Sequence, residues 1–270
     1  MANYEIEPLI RVENITKNFS NYNNYKFCLN IFSAISDVSF NIYKGQTLGL
    51  VGASGSGKST LGRILMRLIK PSFGNVFYKD QDLFLISNKD LKKIRTDLQI
   101  VFQNPYLSLN NLMTVETILL ETLSCFKFKN INKLEKKERI SELIDLVGLD
   151  QKIKYKYPSE LSGGECQRVA IARSLAVEPK FIIFDEATSA LDVIVQDKII
   201  NIIKKIQKKM DLTYLFISHN IGLVKEISDN IAVMNMGKIV EIGESKKIYD
   251  FPKKDYTKQL ISSFKNLSKN

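Results

Sequence analysis

The chain has 270 residues, with 39 Lys and Arg against 29 Asp and Glu, a formal net charge of +10. Hydrophobic residues at 44%, charged residues at 25%, 13 Gly and 6 Pro exclude a disordered or fibrous chain and fit one large or two small globular domains. The excess positive charge has two readings: a nucleic-acid or membrane-surface partner, or a solvated lysine-rich surface with no specific meaning. Cys28, Cys125 and Cys166 are odd in number and widely spaced, without CxxC, which argues against a disulfide framework or a thiolate metal cradle and for a reducing compartment. Glu5, Glu7 and Pro8 break up the stretch where a secretion signal needs an apolar run. The longest uncharged run, residues 98–115, carries Gln99, Gln103, Asn104 and Pro105 and does not read as a bilayer span. The expectation is a soluble cytoplasmic protein.

In chain order, residues 9–12 and 35–42 are strand candidates, and the Asn-rich stretch 20–30 between them reads as a surface loop. Runs 47–51, 98–102, 181–184 and 214–217 are short, apolar and without polar alternation, as strands buried on both faces are. They alternate with helical patterns, which predicts an α/β fold with a mainly parallel sheet. These four runs lead into Gly52, Gln103, Asp185-Glu186 and Ser218-His219, and ligands of open α/β sheets bind outside such carboxyl ends. A helix is predicted over 58–70, with Leu61, Ile64, Leu65, Leu68 and Ile69 on one stripe and Pro71 as its stop. After Gln103 the strand rhythm ceases, and residues 104–159 read as a helical insertion with a polar, lysine-rich connector at 127–137. Within it, 138–149 places Ile140, Leu143, Ile144 and Val147 at helical spacing ahead of Gly148. The helix predicted over 192–210 turns Val195, Ile199, Ile202, Ile206 and Met210 inward and Lys204, Lys205, Lys208 and Lys209 outward, and 231–243 reads as a hairpin turning near Gly237.

The chemistry is concentrated in a few motifs. Gly52-Ala53-Ser54-Gly55-Ser56-Gly57-Lys58-Ser59 has the G-x-x-x-x-G-K-[ST] spacing between a buried strand and an amphipathic helix. Glycines let backbone N–H groups close around phosphate oxygens, the helix N-terminus adds its positive dipole end, Lys58 reaches the outer phosphates, and the Ser59 hydroxyl suits Mg²⁺. Asp185 and Glu186, at the end of an apolar run, suit a water-mediated Mg²⁺ contact and a general base for an attacking water. Alone that pair is equally a plain strand exit; its weight comes from the phosphate loop. Leu161-Ser162-Gly163-Gly164-Glu165 opens another helix with Ser162 as N-cap, a second anion-receiving helix terminus on a chain that has one phosphate loop.

Together these residues resemble the ATP-binding-cassette (ABC) ATPases. The resemblance covers roughly residues 9–262 and implies a P-loop NTPase core with antiparallel N-terminal β elements and a helical insertion. It divides the chain into a nucleotide-binding core at 1–102 and 168–244, a helical subdomain at 103–167 and a basic C-terminal tail at 245–270. By this resemblance, Phe19 is the aromatic that stacks on adenine. Gly52 to Thr60 hold the phosphates of ATP, and Ser59, Gln103 and Asp185 are the Mg²⁺ positions. Glu186, His219 and Gln103 are catalytic, and Ser162, Gly163, Gly164 and Asp192 meet the nucleotide of a second cassette. His219 is the only histidine in the chain.

A narrower resemblance, carried by Val101-Phe-Gln-Asn-Pro-Tyr-Leu-Ser-Leu-Asn110, Met113-Thr-Val and Asp255-Tyr-Thr-Lys-Gln-Leu-Ile-Ser262, is to ATPase subunits of oligopeptide and dipeptide importers. It implies transmembrane permease subunits, a second ATPase subunit and, indirectly, a substrate-binding protein as partners, a peripheral place on the cytoplasmic membrane face, and no nucleic acid. A soluble ABC-type ATPase acting on nucleic acid or ribosomes is the competing reading, kept open by the charge. Three positions depart from the family pattern: Glu165 for Gln, Asn104 for Asp, and Asn111-Leu112 for Pro-Arg. Glu165 adds a carboxylate at the helix terminus that an anion would approach, against the favourable dipole. Seven lysines and two aspartates follow residue 244, so much of the excess charge is peripheral to the motifs.

Overall fold

A computed structural model describes residues 7–23, 28–125 and 131–267. In chain order the elements are β1 (Pro8–Asn23), β2 (Cys28–Tyr43), β3 (Thr47–Val51), α1 (Lys58–Leu65), β4 (Phe73–Tyr78), β5 (Gln81–Asp82), α2 (Asn88–Asp97), β6 (Leu98–Val101), α3 (Pro105–Ser108) and α4 (Val115–Cys125). They continue as α5 (Lys133–Leu146), α6 (Gly163–Leu175), β7 (Phe181–Asp185), α7 (Val193–Met210), β8 (Thr213–Ser218), α8 (Ile221–Ile227), β9 (Asn230–Asn235), β10 (Lys238–Glu244), α9 (Ser245–Asp250) and α10 (Asp255–Leu267). The chain divides into two compact units, residues 1–91 with 215–270, and residues 92–214.

The first unit holds an antiparallel sheet of order β2-β1-β4-β5 and a second sheet in which β9 pairs antiparallel with β10 and parallel with β3. Every residue of β3 is buried, as its unbroken apolar run requires, and Ile10, Ile15, Ile35, Ile42, Leu50, Leu61, Ile64 and Leu65 are fully enclosed. The expected loop at 20–30 is instead largely sheet. Ser20 pairs Ile31, Asn21 pairs Asn30, Tyr22 pairs Leu29 and Asn23 pairs Cys28, because the ladder begun by Val12 and Phe40 continues through residues whose own preference is for turns. Residues 24–27 of that expectation lie outside the described ones.

The helix expected over 58–70 ends at Leu65. Arg67 takes a left-handed conformation (φ 50°), the Leu68 N–H turns back to the Arg63 carbonyl at 2.9 Å, and Leu68 is 52% exposed. The stripe predicted that both leucine turns face the core; the closing turn puts the last one in solvent. The hairpin at 231–243 is as predicted, turning through Met236 and Gly237 at positive φ. Residues after 244 form α9 and α10, where Lys247 pairs with Glu244 at 2.8 Å, Lys225 with Asp250 at 3.0 Å and Lys258 with Asp255 at 2.9 Å.

In the second unit β6 and β7 pair in parallel, β7 is buried throughout, and Phe184 meets Tyr214 edge to face at 5.1 Å. α3, α4, α5 and two short 3₁₀ turns make up the predicted helical insertion. α5 starts at Lys133, inside the expected connector, because Asn132 caps it by accepting the Glu135 N–H at 2.9 Å; Gly148, at φ 66°, follows its end as expected. α7 buries Ile199, Ile200, Ile203 and Ile206, so its inward stripe is rotated from the one predicted. With isoleucine at 199, 200, 202, 203 and 206, two neighbouring stripes are equally apolar, and packing selects between them.

The rotation is testable. Ile203→Ala should destabilise the protein by about 3 kcal/mol in urea unfolding, as a buried methyl-rich side chain leaves a cavity. Ile194→Ala on the same helix, 69% exposed, should change stability by less than about 0.5 kcal/mol.

Candidate nucleotide site

In the first unit, buried β3 delivers the chain into residues 52–59, and α1 begins at Lys58. Gly57 is the N-cap at φ 105°, and a Cβ there would lie 2.4 Å from the Ala34 carbonyl, so only glycine allows the loop to enter the helix against β2. Ala53, Ser54 and Gly55 are exposed, whereas Ser56 is 5% and Lys58 4% exposed. The Lys58 ammonium donates to the carbonyls of Gly52 at 2.8 Å and Ala53 at 2.9 Å. A buried cation requires such partners, and phosphate oxygens are chemically able to take their place. The Ser56 carbonyl accepts the Gly237 N–H at 3.0 Å, while its buried hydroxyl has no hydrogen-bond partner. Ser59 and Thr60 follow at the start of α1, half-buried.

Phe19 lies on β1 opposite Phe32, 42% exposed, with the Lys17 ammonium 5.0 Å from its ring centre. His219 follows β8 and is exposed; next to it, Asn220 caps α8 by accepting the Leu223 N–H at 3.0 Å.

In the second unit Asp185 ends β7, 5% exposed, and Glu186 takes a left-handed conformation (φ 50°) that is costly for a non-glycine residue. The Glu186 carbonyl accepts from both the N–H (3.1 Å) and hydroxyl (2.9 Å) of Ser189, and the Gln103 amide donates to the same hydroxyl at 3.1 Å. Ser189 thus ties Gln103 to the Asp-Glu turn, a connection with no signal in the sequence. Asp192 caps α7 through the Val195 N–H at 2.9 Å.

Ser162 caps α6 as predicted. Gly164 is buried, and a Cβ on it would stand 2.5 Å from Val195, so α6 packs against α7 where only hydrogen fits. The Glu165 carboxylate turns back onto its own cap, accepting the Ser162 N–H at 2.9 Å and hydroxyl at 2.7 Å. These bonds hold its carboxyl below the usual range, and Lys156 and Arg168 add to the effect against burial. Glu165 thus forms the third-position half of a capping box, a place that Gln also fills. Gly163, half-buried, joins Gln103, Tyr106, Gln167 and Leu191 in lining a cavity of about 550 Å³. Burial pushes the neighbouring Cys166 thiol up to about 11, which leaves it protonated and unreactive at neutral pH.

Sequence reasoning missed the tyrosines. The Tyr106 hydroxyl donates to the Leu161 carbonyl at 2.9 Å, fastening the segment after Gln103 to the residue before the Ser162 cap, and the Tyr256 hydroxyl accepts the Ala53 N–H at 3.0 Å. Both stand in segments that carry the importer resemblance, but a single tyrosine has no spacing rule to single it out.

The first unit holds a strand-loop-helix element with a buried lysine, and the second an Asp-Glu strand end and a capped glycine-rich helix terminus; each has the form found in nucleotide-binding ATPases. The "ABC transporter" family model matches residues 35–189. The oligopeptide transport ATP-binding protein OppF of Streptococcus mutans serotype c is 44% identical over 95% of this chain and 82% of that protein. The dipeptide transport ATP-binding protein DppF of Lactococcus lactis subsp. cremoris is 45% identical over 85% of this chain and 74% of its own. The dimeric cassette MJ0796, in a post-hydrolysis state bound to ADP and Pi, superposes with a TM-score of 0.77 at 29% identity, covering 87% of this chain and 98% of that one. The chain belongs to the ABC transporter family and is one of its ATPase cassettes, similar to oligopeptide and dipeptide transport ATP-binding proteins.

The Glu165 arrangement has a pH signature. Its lowered carboxyl contributes stability that is fully present above about pH 4.5 and is lost as pH falls through the lower folded value. Glu165→Gln, which keeps the capping box but removes the charge, should unfold at lower urea than the parent at pH 7, and the gap should close as pH falls from about 4.5 through the lower folded value, followed by urea melts at each pH.

Proposed function

We propose that this chain is the motor subunit of a peptide importer, hydrolysing ATP in a dimer of cassettes that closes over nucleotide and thereby drives separate transmembrane subunits. The observation that carries the reading is the pair of anion-receiving helix N-termini, α1 behind the phosphate loop and α6 behind Ser162, on a chain with a single phosphate loop. The second terminus calls for phosphate presented by another chain, and MJ0796, described as dimeric, supports that arrangement. The importer assignment is supported by similarity to proteins named for oligopeptide and dipeptide transport. No helix among the described residues is long and apolar enough to cross a membrane, so partner permeases would supply the pathway, with this subunit at their cytoplasmic face and a substrate-binding protein acting through them. The helical insertion, 103–167 in the proposed division, would contact the permeases near residues 104–114.

In this reading Phe19 stacks on the adenine, and residues Gly52, Ala53, Ser54, Gly55, Ser56 and Gly57 wrap the phosphates. The Lys58 ammonium exchanges its two loop carbonyls for β and γ oxygens, a trade within an already desolvated site. Glu186 takes the proton of the attacking water, and His219 and Gln103 contact the γ-phosphate and that water. Ser162, Gly163, Gly164 and Asp192 receive the nucleotide held by the partner. The Ser59 hydroxyl, the Asp185 carboxylate and the Gln103 amide oxygen are all hard oxygen donors of the kind Mg²⁺ takes, with Thr60 beside Ser59; the ion would neutralise charge building on the phosphates.

ATP binding favours the closed dimer by its differential affinity for that state, and hydrolysis removes the bias. Lys58→Ala should abolish ATP binding at millimolar nucleotide in an equilibrium titration; unchanged affinity would remove the phosphate-loop assignment. Glu186→Gln should keep ATP affinity, cut kcat by about 100-fold or more and accumulate dimer in size-exclusion chromatography with ATP. Normal turnover in that variant would exclude Glu186 as the base.

A further inference from the structure

Tyr256 belongs to none of the nucleotide motifs and lies about two hundred residues from the phosphate loop in sequence, yet its hydroxyl accepts the Ala53 N–H at 3.0 Å. The other side of the same residue is held from within the loop: the Ala53 carbonyl accepts Lys58 Nζ at 2.9 Å and the Ser56 N–H at 3.2 Å. Ala53 is thus fixed on both flanks, by the loop's own groups on one and by the C-terminal helix α10 on the other.

α10 is itself firmly seated. The Glu241 carboxylate accepts the N–H groups of Lys253 at 2.9 Å and Lys254 at 3.1 Å, immediately before the first turn. Near its far end the Phe264 ring lies so close to Gly222 of α8 that a Cβ there would stand 2.2 Å from the ring, and Ile261, about one turn earlier in α10, is buried. The Lys265 ammonium lies 5.3 Å from the centre of the Tyr249 ring on α9. A hydroxyl delivered by a helix anchored at both ends is a fixed acceptor.

We propose that Tyr256 is a positioning residue for the phosphate loop: by holding the Ala53 N–H it sets the first turn of residues 52–59 before nucleotide arrives, and so couples nucleotide affinity to the seating of α10. The proposal rests on the reading of those residues as the phosphate loop. A glycine-rich loop has much backbone freedom to lose when it closes on phosphate, and an acceptor that orders it beforehand lowers that cost. Tyr256 acts through Ala53, so its loss weakens ground-state and transition-state binding alike. The signature is a raised KM with kcat retained.

The test uses the full chain and three proteins: the parent, Tyr256→Phe, and Phe264→Ala, which loosens α10 at the end away from the loop. Each is titrated with ATP in the presence of Mg²⁺, assayed for steady-state ATPase, and melted without nucleotide. Tyr256→Phe is expected to raise the ATP Kd and KM by roughly three- to tenfold, the loss of one neutral hydrogen bond, with kcat unchanged and the nucleotide-free melting temperature lowered by no more than a few degrees. Phe264→Ala is expected to raise Kd in the same direction although it is remote from the loop; parental affinity there would overturn the coupling to α10. Parental affinity in Tyr256→Phe, or a fall in kcat at unchanged KM, would overturn the positioning role while leaving the phosphate loop intact. Failure of the parent itself to bind ATP would sink the loop reading and the proposal with it.

Discussion

The burial of one ammonium group is the constraint on which the site depends. Lys58 is 4% exposed at the first turn of α1, and a cation placed there must be surrounded by oxygen. The loop satisfies it by turning two backbone carbonyls inward, Gly52 and Ala53, which forces the chain between β3 and α1 into a tight, positive-φ path through Gly55 and Gly57. That path is closed from outside by β2 and by the β9–β10 turn, because Gly57 abuts the Ala34 carbonyl and the Ser56 carbonyl accepts the Gly237 N–H. The path of residues 52–59 is therefore set by the whole first unit, and the eight residues of the motif are only its visible part.

In the second unit the start of α6 is held by its own cap and by its neighbours. Ser162 and Glu165 form a closed capping box at the start of α6, Gly164 allows that helix to touch Val195, and Tyr106 and Gln167 fasten the segment after β6 to it. The Arg173 guanidinium donates to the Ser108 carbonyl, giving a further attachment of the same segment. A carboxylate where the family pattern has an amide is compatible with this design, because both of its hydrogen bonds go to its own helix cap and lower its pKa.

Charge, the first unusual property of the sequence, becomes ordinary at this level. Several lysines after residue 244 are paired locally: Lys247 with Glu244, Lys258 with Asp255, and Lys265 beside the Tyr249 ring. Surface pairs of this kind are individually weak, but they lower the local field that a polyanion would meet.

The sequence by itself determined the fold class, the four strands, of which all but β6 are buried throughout, the glycine-rich loop at 52–59, the Asp-Glu turn and the cap at Ser162. Each is written in local spacing, and spacing follows from backbone geometry: period two or unbroken runs for strands, and glycines where no side chain fits. Tertiary structure alone decided the rest. Ser20 to Asn23 continue the ladder opposite Cys28 to Ile31, against their own preference for turns. α1 stopped at Leu65 where Arg67 turned left-handed, and α7 chose between two equally apolar stripes. The contacts Ser189 to Gln103, Tyr106 to Leu161 and Tyr256 to Ala53 span 86, 55 and 203 residues. A hydrogen bond is decided by the position of two atoms within about 3 Å, and for residues so distant in sequence that position is set only when the elements carrying them have packed.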